Sequence, residues 1–218
     1  MSVIVVGGMI GLGKSSTAKV LGQALSSEVF YENVDDNAIL PLFYTATEEE
    51  AQAKRYPFLL QLEFLHSRFA DIKKALKHRH NVLDRSIYED WYFAYINWKL
   101  GKISDVEFSI YEKLLYNMME ELQELPKKSP DLMVYLKASF ETTLYRIGLR
   151  GRDFEQDESL VSYYRTLWEG YDEWLLNHYN ASEVIIIDMD KADVVNNPED
   201  AQTVIEQVQD KLYEMGIF

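Results

Sequence analysis

Val3-Ile4-Val5-Val6-Gly7-Gly8-Met9-Ile10-Gly11-Leu12-Gly13-Lys14-Ser15 opens the chain with an apolar run, a glycine-rich turn and the start of a helical pattern. From Gly8 to Ser15 it fits G-x-x-x-x-G-K-[ST], a form that chance produces on the order of one time in a hundred chains of this length. A strand before and a helix after are the context this motif requires, which places a phosphate loop at residues 7–16. Glycines let backbone N–H groups approach phosphate oxygens with no Cβ in the way. The helix beginning near Lys14 aims free N–H groups and its positive dipole end at the same anion. Lys14 supplies a point charge for the β- and γ-phosphates, and the Ser15 hydroxyl can ligate Mg²⁺. Gly8, Gly11, Gly13, Lys14, Ser15 and the adjacent Ser16 are therefore the expected phosphate-binding residues.

Outward from this loop, Val3–Val6, Val29-Phe30-Tyr31, Val82–Asp84, Leu132–Leu136 and Val184–Ile187 are short β-rich runs. Such runs fit strands covered on both faces, as in a parallel sheet. Helical spacing occupies Lys14–Leu25, Phe58–Leu76, Ile87–Leu100, Asp105–Leu125, Phe140–Leu149, Ser159–Tyr179 and Pro198–Met215. Between Phe58 and Leu76, apolar residues recur at intervals of three and four. The alternation predicts right-handed βαβ units. An α/β chain with the P-loop kinase fold is expected: a doubly wound, five-stranded parallel sheet flanked by helices. Pro126-Lys127-Lys128-Ser129-Pro130 reads as a connector, and residues 1–218 as one domain.

Composition narrows the partners. The 218 residues carry 36 acidic and 22 basic side chains, a formal net charge of −14. Duplex binding needs clustered cations to displace counterions, so nucleic acid is not an expected partner. A small anion is allowed where a few arginines converge. With no cysteine, a disulfide framework and a cysteine-held zinc are excluded. No apolar run approaches the ~18 residues of a membrane span, and the N-terminus has no basic leader. A cytoplasmic protein with no membrane partner is expected.

Ligands in such sheets bind outside the carboxyl ends of the strands. Two acids sit there: Glu32 after Val29–Tyr31, and Asp84 in Leu83-Asp84-Arg85-Ser86. A carboxylate beside a phosphate site can hold Mg²⁺ or accept a hydroxyl proton; either acid taken alone is as readily a solvated or capping residue. The GTPase motifs N-K-x-D and D-x-x-G do not occur. Tyr31-Glu32-Asn33-Val34-Asp35, Asp84-Arg85-Ser86-Ile87-Tyr88-Glu89-Asp90 and Arg146-x3-Arg150-Gly151-Arg152-Asp153-Phe154-Glu155-Gln156 follow the phosphate loop in that order. Together these stretches closely resemble the deoxyribonucleoside kinase family, especially the purine-leaning enzymes of lactic-acid and related bacteria. The resemblance covers essentially the whole chain.

It implies transfer of the γ-phosphate of ATP, with Mg²⁺, to the 5′-hydroxyl of a deoxyribonucleoside in nucleotide salvage. Glu32 then resembles the family's general base, Arg85 the cation that orients the 5′ oxygen, and Lys14 completes the catalytic group. Asp84, with Ser15 and Glu32, would neighbour the metal. Arg146, Arg150 and Arg152 resemble an arginine-rich lid over about residues 146–157, and Asp190 and Asp193 lie in a segment like the family's ATP-adenine loop. The Gln61 amide would bond the base edge, and Arg68 would pair with Asp90 beside the base. Tyr44 and Glu155 match the pair that holds the sugar 3′-hydroxyl, while Val34, Leu40 and Leu60 would wall the pocket. Leu60, Ala94 and Val194 depart from the family at positions often aromatic. An acidic acceptor suits an exocyclic amino group, so deoxyadenosine is expected first, deoxyguanosine or deoxycytidine next, and thymidine last.

A homodimer through the long helices after Asp84, and feedback inhibition by a deoxynucleoside triphosphate, are family expectations. Two rivals share the loop. A nucleoside monophosphate kinase of the thymidylate-kinase type needs extra basic residues on the acceptor side, where this chain offers Glu32 and Asp90. A non-catalytic kinase-fold subunit could lose Lys14, Glu32 or the lid arginines, and all are present.

Overall fold

Five strands form one parallel sheet in the order β2-β3-β1-β4-β5: β1 (Ser2–Gly8), β2 (Glu28–Phe30), β3 (His80–Asp84), β4 (Leu132–Lys137) and β5 (Glu183–Asp188). The computed structural model describes residues 2–32, 34, 36–75, 80–124 and 130–217, with only the backbone of 122–124. Asn33, Asp35, the expected helix ends Leu76 and Leu125, and Pro126, Lys127, Lys128 and Ser129 of the connector lie outside the described residues.

Ser2 of β1 faces His80 of β3, and Ile4 faces Leu132 of β4. As the central strand, β1 is buried along its whole length, which is why it reads as an unbroken apolar run. β5 departs from the expectation of cover on both faces: it lies at the sheet edge, and Ile186 is 50% exposed. β2 stops at Phe30, leaving Tyr31 outside the ladder.

The seven expected helices are present, and where both ends are described they fall within a residue or two of expectation: α1 (Lys14–Ala24), α4 (Tyr56–Ala75), α5 (Ile87–Lys99), α6 (Asp105–Glu124), α7 (Phe140–Arg150), α8 (Val161–His178) and α9 (Pro198–Glu214). Two short helices were not anticipated, α2 (Ile39–Thr45) and α3 (Glu48–Lys54). Pro41 sits in the first turn of α2, where a missing N–H breaks no helical bond. Asn37 Oδ1 accepts the N–H groups of Ile39 and Leu40, both at 3.0 Å, and so starts that helix. α3 buries nothing and is held by its Thr47 cap, leaving no apolar period to detect. Among the described residues, no helix is long and apolar enough to cross a membrane.

The connection after β1 runs to one side of it, and the connection after β3 returns across it to β4. That reversal opens a crevice beyond the carboxyl ends of β1, β2 and β3. Glycine loop, Glu32 and Asp84 all emerge there.

Candidate active site

The phosphate loop is shaped by its backbone. Gly13 caps α1 at φ 84°, ψ 27°, and supplies no side-chain cap bond to the first-turn N–H groups. Those donors remain available to an anion. Gly11 has φ 85°, and a Cβ there would lie 2.7 Å from Ile147 Cγ1. Glycine is thus needed twice at this position, for the left-handed backbone and for the close approach of α7. Lys14 Nζ donates to the Met9 carbonyl at 3.0 Å. Burial, then the charge of Arg85, lowers its ammonium to a pKa of about 7.

Across the crevice, Ser15 Oγ donates to Asp84 Oδ2 at 2.5 Å, while Asp84 Oδ1 is buried with no hydrogen-bond partner among the described residues. Burial and the nearby Glu32 charge raise the pKa of Asp84. Oxygen ligands with an orphaned carboxylate oxygen fit a hard divalent cation such as Mg²⁺. Arg85 takes φ 80°, rare for a side-chain-bearing residue, yet its N–H donates to the Val6 carbonyl at 2.9 Å. The strand ladder therefore continues into the turn.

Glu32 stands just beyond β2 between two guanidiniums. Arg68 Nη2 donates to Glu32 Oε1 at 2.8 Å, and Arg85 Nε lies 3.2 Å from the same oxygen without hydrogen-bond alignment. Burial opposes the charge of Glu32, but Arg85, Arg68 and Lys14 together outweigh it and hold the pKa at about 2. Arg68 pairs with Asp90 as expected, Nε to Oδ2 at 3.1 Å, and its Nη1 also donates to the Asp84 carbonyl at 2.9 Å. One buried guanidinium thus ties Glu32, Asp84 and Asp90 together. Burial raises the pKa of Asp90 against the pull of Arg68.

These groups surround a cavity of 490 Å³. Gly11, Gly13, Lys14, Ser15, Ser16, Glu32, Asp84 and Arg85 line one end; Val34, Leu40, Tyr44, Leu60, Gln61, Asp90 and Glu155 line the rest, with Arg150 and Arg152. Phe43, Phe64, Phe93 and Tyr163 also line it and were not anticipated. Phe64 lies one turn after Leu60, and Phe93 is the neighbour of Ala94. Both rings give the cavity aromatic surface, and the Arg85 guanidinium stacks 4.4 Å from the Phe93 ring centroid.

Arg150 donates to Glu155, and Arg152 Nη1 lies 3.5 Å from the same buried carboxylate. Tyr44 stacks on Phe154 with centroids 5.7 Å apart, and burial raises its hydroxyl pKa well above the usual value. Gly8, Arg68, Arg146, Asp190 and Asp193 are set back from the cavity wall. Arg146 donates to the carbonyls of Met189 and Ala192, both at 2.7 Å. Asp190 accepts from the Ser139 N–H at 2.9 Å, and Asp193 from the N–H groups of Val195 and Asn196, both at 3.1 Å. Arg146 and Asp190 thereby tie the loop after β5 to α7, while Asp193 turns that loop on itself.

The sequence matches the family model described as deoxynucleoside kinase over residues 4–213. It is 47% identical to a deoxyguanosine kinase of Lactobacillus johnsonii over 100% of this chain and 96% of that one. A deoxyadenosine kinase of Lactobacillus acidophilus is 43% identical, with 99% of each chain covered. Among solved structures, a deoxyadenosine kinase from M. mycoides with bound dATP superposes with a TM-score of 0.78 at 26% identity, covering 97% of this chain and 99% of that one. The chain that builds this cavity belongs to the deoxynucleoside kinase family.

Proposed function

We propose that this protein transfers the γ-phosphate of ATP to the 5′-hydroxyl of a purine deoxyribonucleoside, deoxyadenosine first. The observation that carries this reading is Glu32, held by two arginines in the same cavity as Lys14 and the phosphate loop. Loop N–H groups cradle the β- and γ-phosphates, while Lys14 and Arg85 balance their charge. Ser15, Asp84 and Glu32 would hold Mg²⁺, which when bound neutralises phosphate oxygens. Glu32 takes the 5′-hydroxyl proton as that oxygen bonds the γ-phosphorus and the bond to the β-phosphate oxygen breaks, leaving a nucleoside monophosphate and ADP. Held well below the usual carboxylate range by Arg85, Arg68 and Lys14, Glu32 is ionised and so free to accept that proton. Arg150 and Arg152 close over the donor, and Arg146, Asp190 and Asp193 shape the loop beside its adenine.

Each Asp90 oxygen gives one lone pair to Arg68 and keeps another for an exocyclic amine. Gln61 adds a donor and an acceptor, Phe64 and Phe93 supply ring faces, and Tyr44 with Glu155 holds the 3′-hydroxyl. A thymine carbonyl would face the charge of Asp90. Guanine is the second reading, favoured by the deoxyguanosine kinase named above; its N1–H and amino group also suit an acidic acceptor.

Glu32→Gln is expected to lower kcat at least ~100-fold with folding intact. Near-normal turnover would overturn the assignment. A panel of four deoxynucleosides with ATP and Mg²⁺ orders the bases, and thymidine in first place would refute the reading of Asp90. Faster turnover of dAMP or dTMP than of any nucleoside would transfer the chain to the monophosphate kinases. Val106, Ile110 and Leu114, exposed at 70%, 45% and 40% on one stripe of α6, suit a second copy, and sedimentation velocity tests that cytoplasmic homodimer. A deoxynucleoside triphosphate spanning the cavity would inhibit by feedback, competing with both substrates.

A further inference from the structure

Glu89 is a buried acid to which the phosphoryl-transfer reading gives no part. It lies in the first turn of α5 with 0% exposure. Oε1 accepts the Gly8 N–H at 2.9 Å and the Tyr171 hydroxyl, and Oε2 accepts the Ser86 N–H at 2.8 Å. Three elements meet on this carboxylate: the end of β1 where the phosphate loop departs, the turn bearing Asp84 and Arg85, and α8. A helix cap alone needs only the Ser86 contact. The bonds to Gly8 and Tyr171 go beyond it. Packing is close as well, since a Cβ added at Gly7 would lie 3.0 Å from Oε2.

Resting on the kinase reading above, we propose that Glu89 is a positioning residue for the phosphate donor, fixing the spacing between the phosphate loop and the Arg85 turn. A carboxylate accepts on both oxygens, so one rigid group holds the Gly8 and Ser86 N–H groups at a single separation. Glutamine cannot reproduce this. Its carbonyl serves one side, and its NH₂ then confronts an N–H donor on the other. The loop would shift relative to Arg85, whereas the nucleoside walls on α2 and α4, and Asp90 and Phe93 on α5 itself, make no hydrogen bond to the Glu89 carboxylate.

Glu89→Gln and Tyr171→Phe test the idea. The second removes one donor and keeps the ring stacked on Tyr135, with centroids 5.6 Å apart. For Glu89→Gln, the KM for MgATP is expected to rise about tenfold and kcat to fall about tenfold, because small misplacements are magnified in transfer. Deoxyadenosine affinity, measured by calorimetry without donor, should stay within about twofold of native, and Tyr171→Phe should move the donor KM the same way by about threefold. A donor KM that does not move, or a nucleoside affinity that moves as far, overturns the proposal. If circular dichroism shows Glu89→Gln unfolded, Tyr171→Phe decides by the same two outcomes. Native protein with no nucleoside-dependent ATP turnover is a separate result, seen before any variant is made; it refutes the kinase reading and this inference with it.

Discussion

At the end of the cavity proposed to take the phosphates, the wall is main-chain N–H groups with the side chains of Lys14, Ser15, Asp84 and Arg85; at the end proposed for the nucleoside it is mainly side chains projecting from α2, α4 and α5. The first is a piece of backbone geometry, set by Gly11, Gly13 and the uncapped start of α1. The second is a packed wall in which Leu60, Phe64 and Phe93 share the surface. A backbone cradle has few substitutes, because each N–H direction follows from one φ and one ψ. A side-chain wall can be rebuilt from neighbouring positions. Changes at the first end should therefore act nearly all-or-none, and those at the second in degrees.

Gly11→Ala presses hardest on that contrast. The methyl would meet Ile147 at 2.7 Å, on a backbone at φ 85°. kcat/KM for ATP is expected to fall on the order of 100-fold or more, with stability lower by about 1–3 kcal/mol. Steady-state kinetics and thermal melting check both, and a mild donor defect would make the cradle as forgiving as the wall.

The same contrast explains what could be read from sequence. Gly8 to Ser15 announces itself because the local chain alone determines its shape, and a central strand such as β1 betrays its burial by an unbroken apolar run. Phe64 and Phe93 gave no signal, since an aromatic on an apolar helix face looks like core until the fold says which way it points. α2 and α3 are too short to show a period, and their starts rest on Asn37 and Thr47. The Arg68 bond to Glu32 joins residues far apart in the chain and has no spacing to betray it. Glu89 did leave a trace: Ser86 and Glu89 have capping-box spacing, which points to the Ser86 contact but not to Gly8 or Tyr171.

At the nucleoside end, Asp90→Ala should cost an intermediate amount. Removing the carboxylate leaves Arg68 with the Glu32 carboxylate and the Asp84 carbonyl and, on the proposed reading, takes away the acceptor for an exocyclic amine. kcat/KM for deoxyadenosine is expected to fall about 30-fold, and that for thymidine to fall less or to rise. Equal losses for every base would mean that Asp90 only supports Arg68.

Lys14 offers a gentler probe of the cradle, through pH. With a pKa of about 7 in the free protein, its ammonium is largely neutral at pH 8. A triphosphate beside it favours the charged form and raises the pKa, so donor binding takes up a proton above pH 7. ATP affinity should then weaken as pH rises from 7, by at most about tenfold per pH unit. Calorimetry in buffers of different ionisation heat reads the uptake directly. Heats independent of buffer at pH 8 would place the charge elsewhere.

Tyr44→Phe is the smallest change and the finest test of the wall. Phenylalanine keeps the ring that stacks on Phe154 and removes only a buried hydroxyl. If that hydroxyl bonds the sugar 3′-oxygen equally in ground and transition states, KM for deoxyadenosine rises about fivefold with kcat nearly unchanged. A 2′,3′-dideoxynucleoside, which has no 3′-hydroxyl to lose, should show no difference between native and variant protein. A drop in kcat instead would mean that the hydroxyl acts on the reacting end, by way of the Glu155 and Arg150 pair beside it. In that case the wall would share the abrupt behaviour of the cradle, because the lid arginine and the sugar contact would move as one unit.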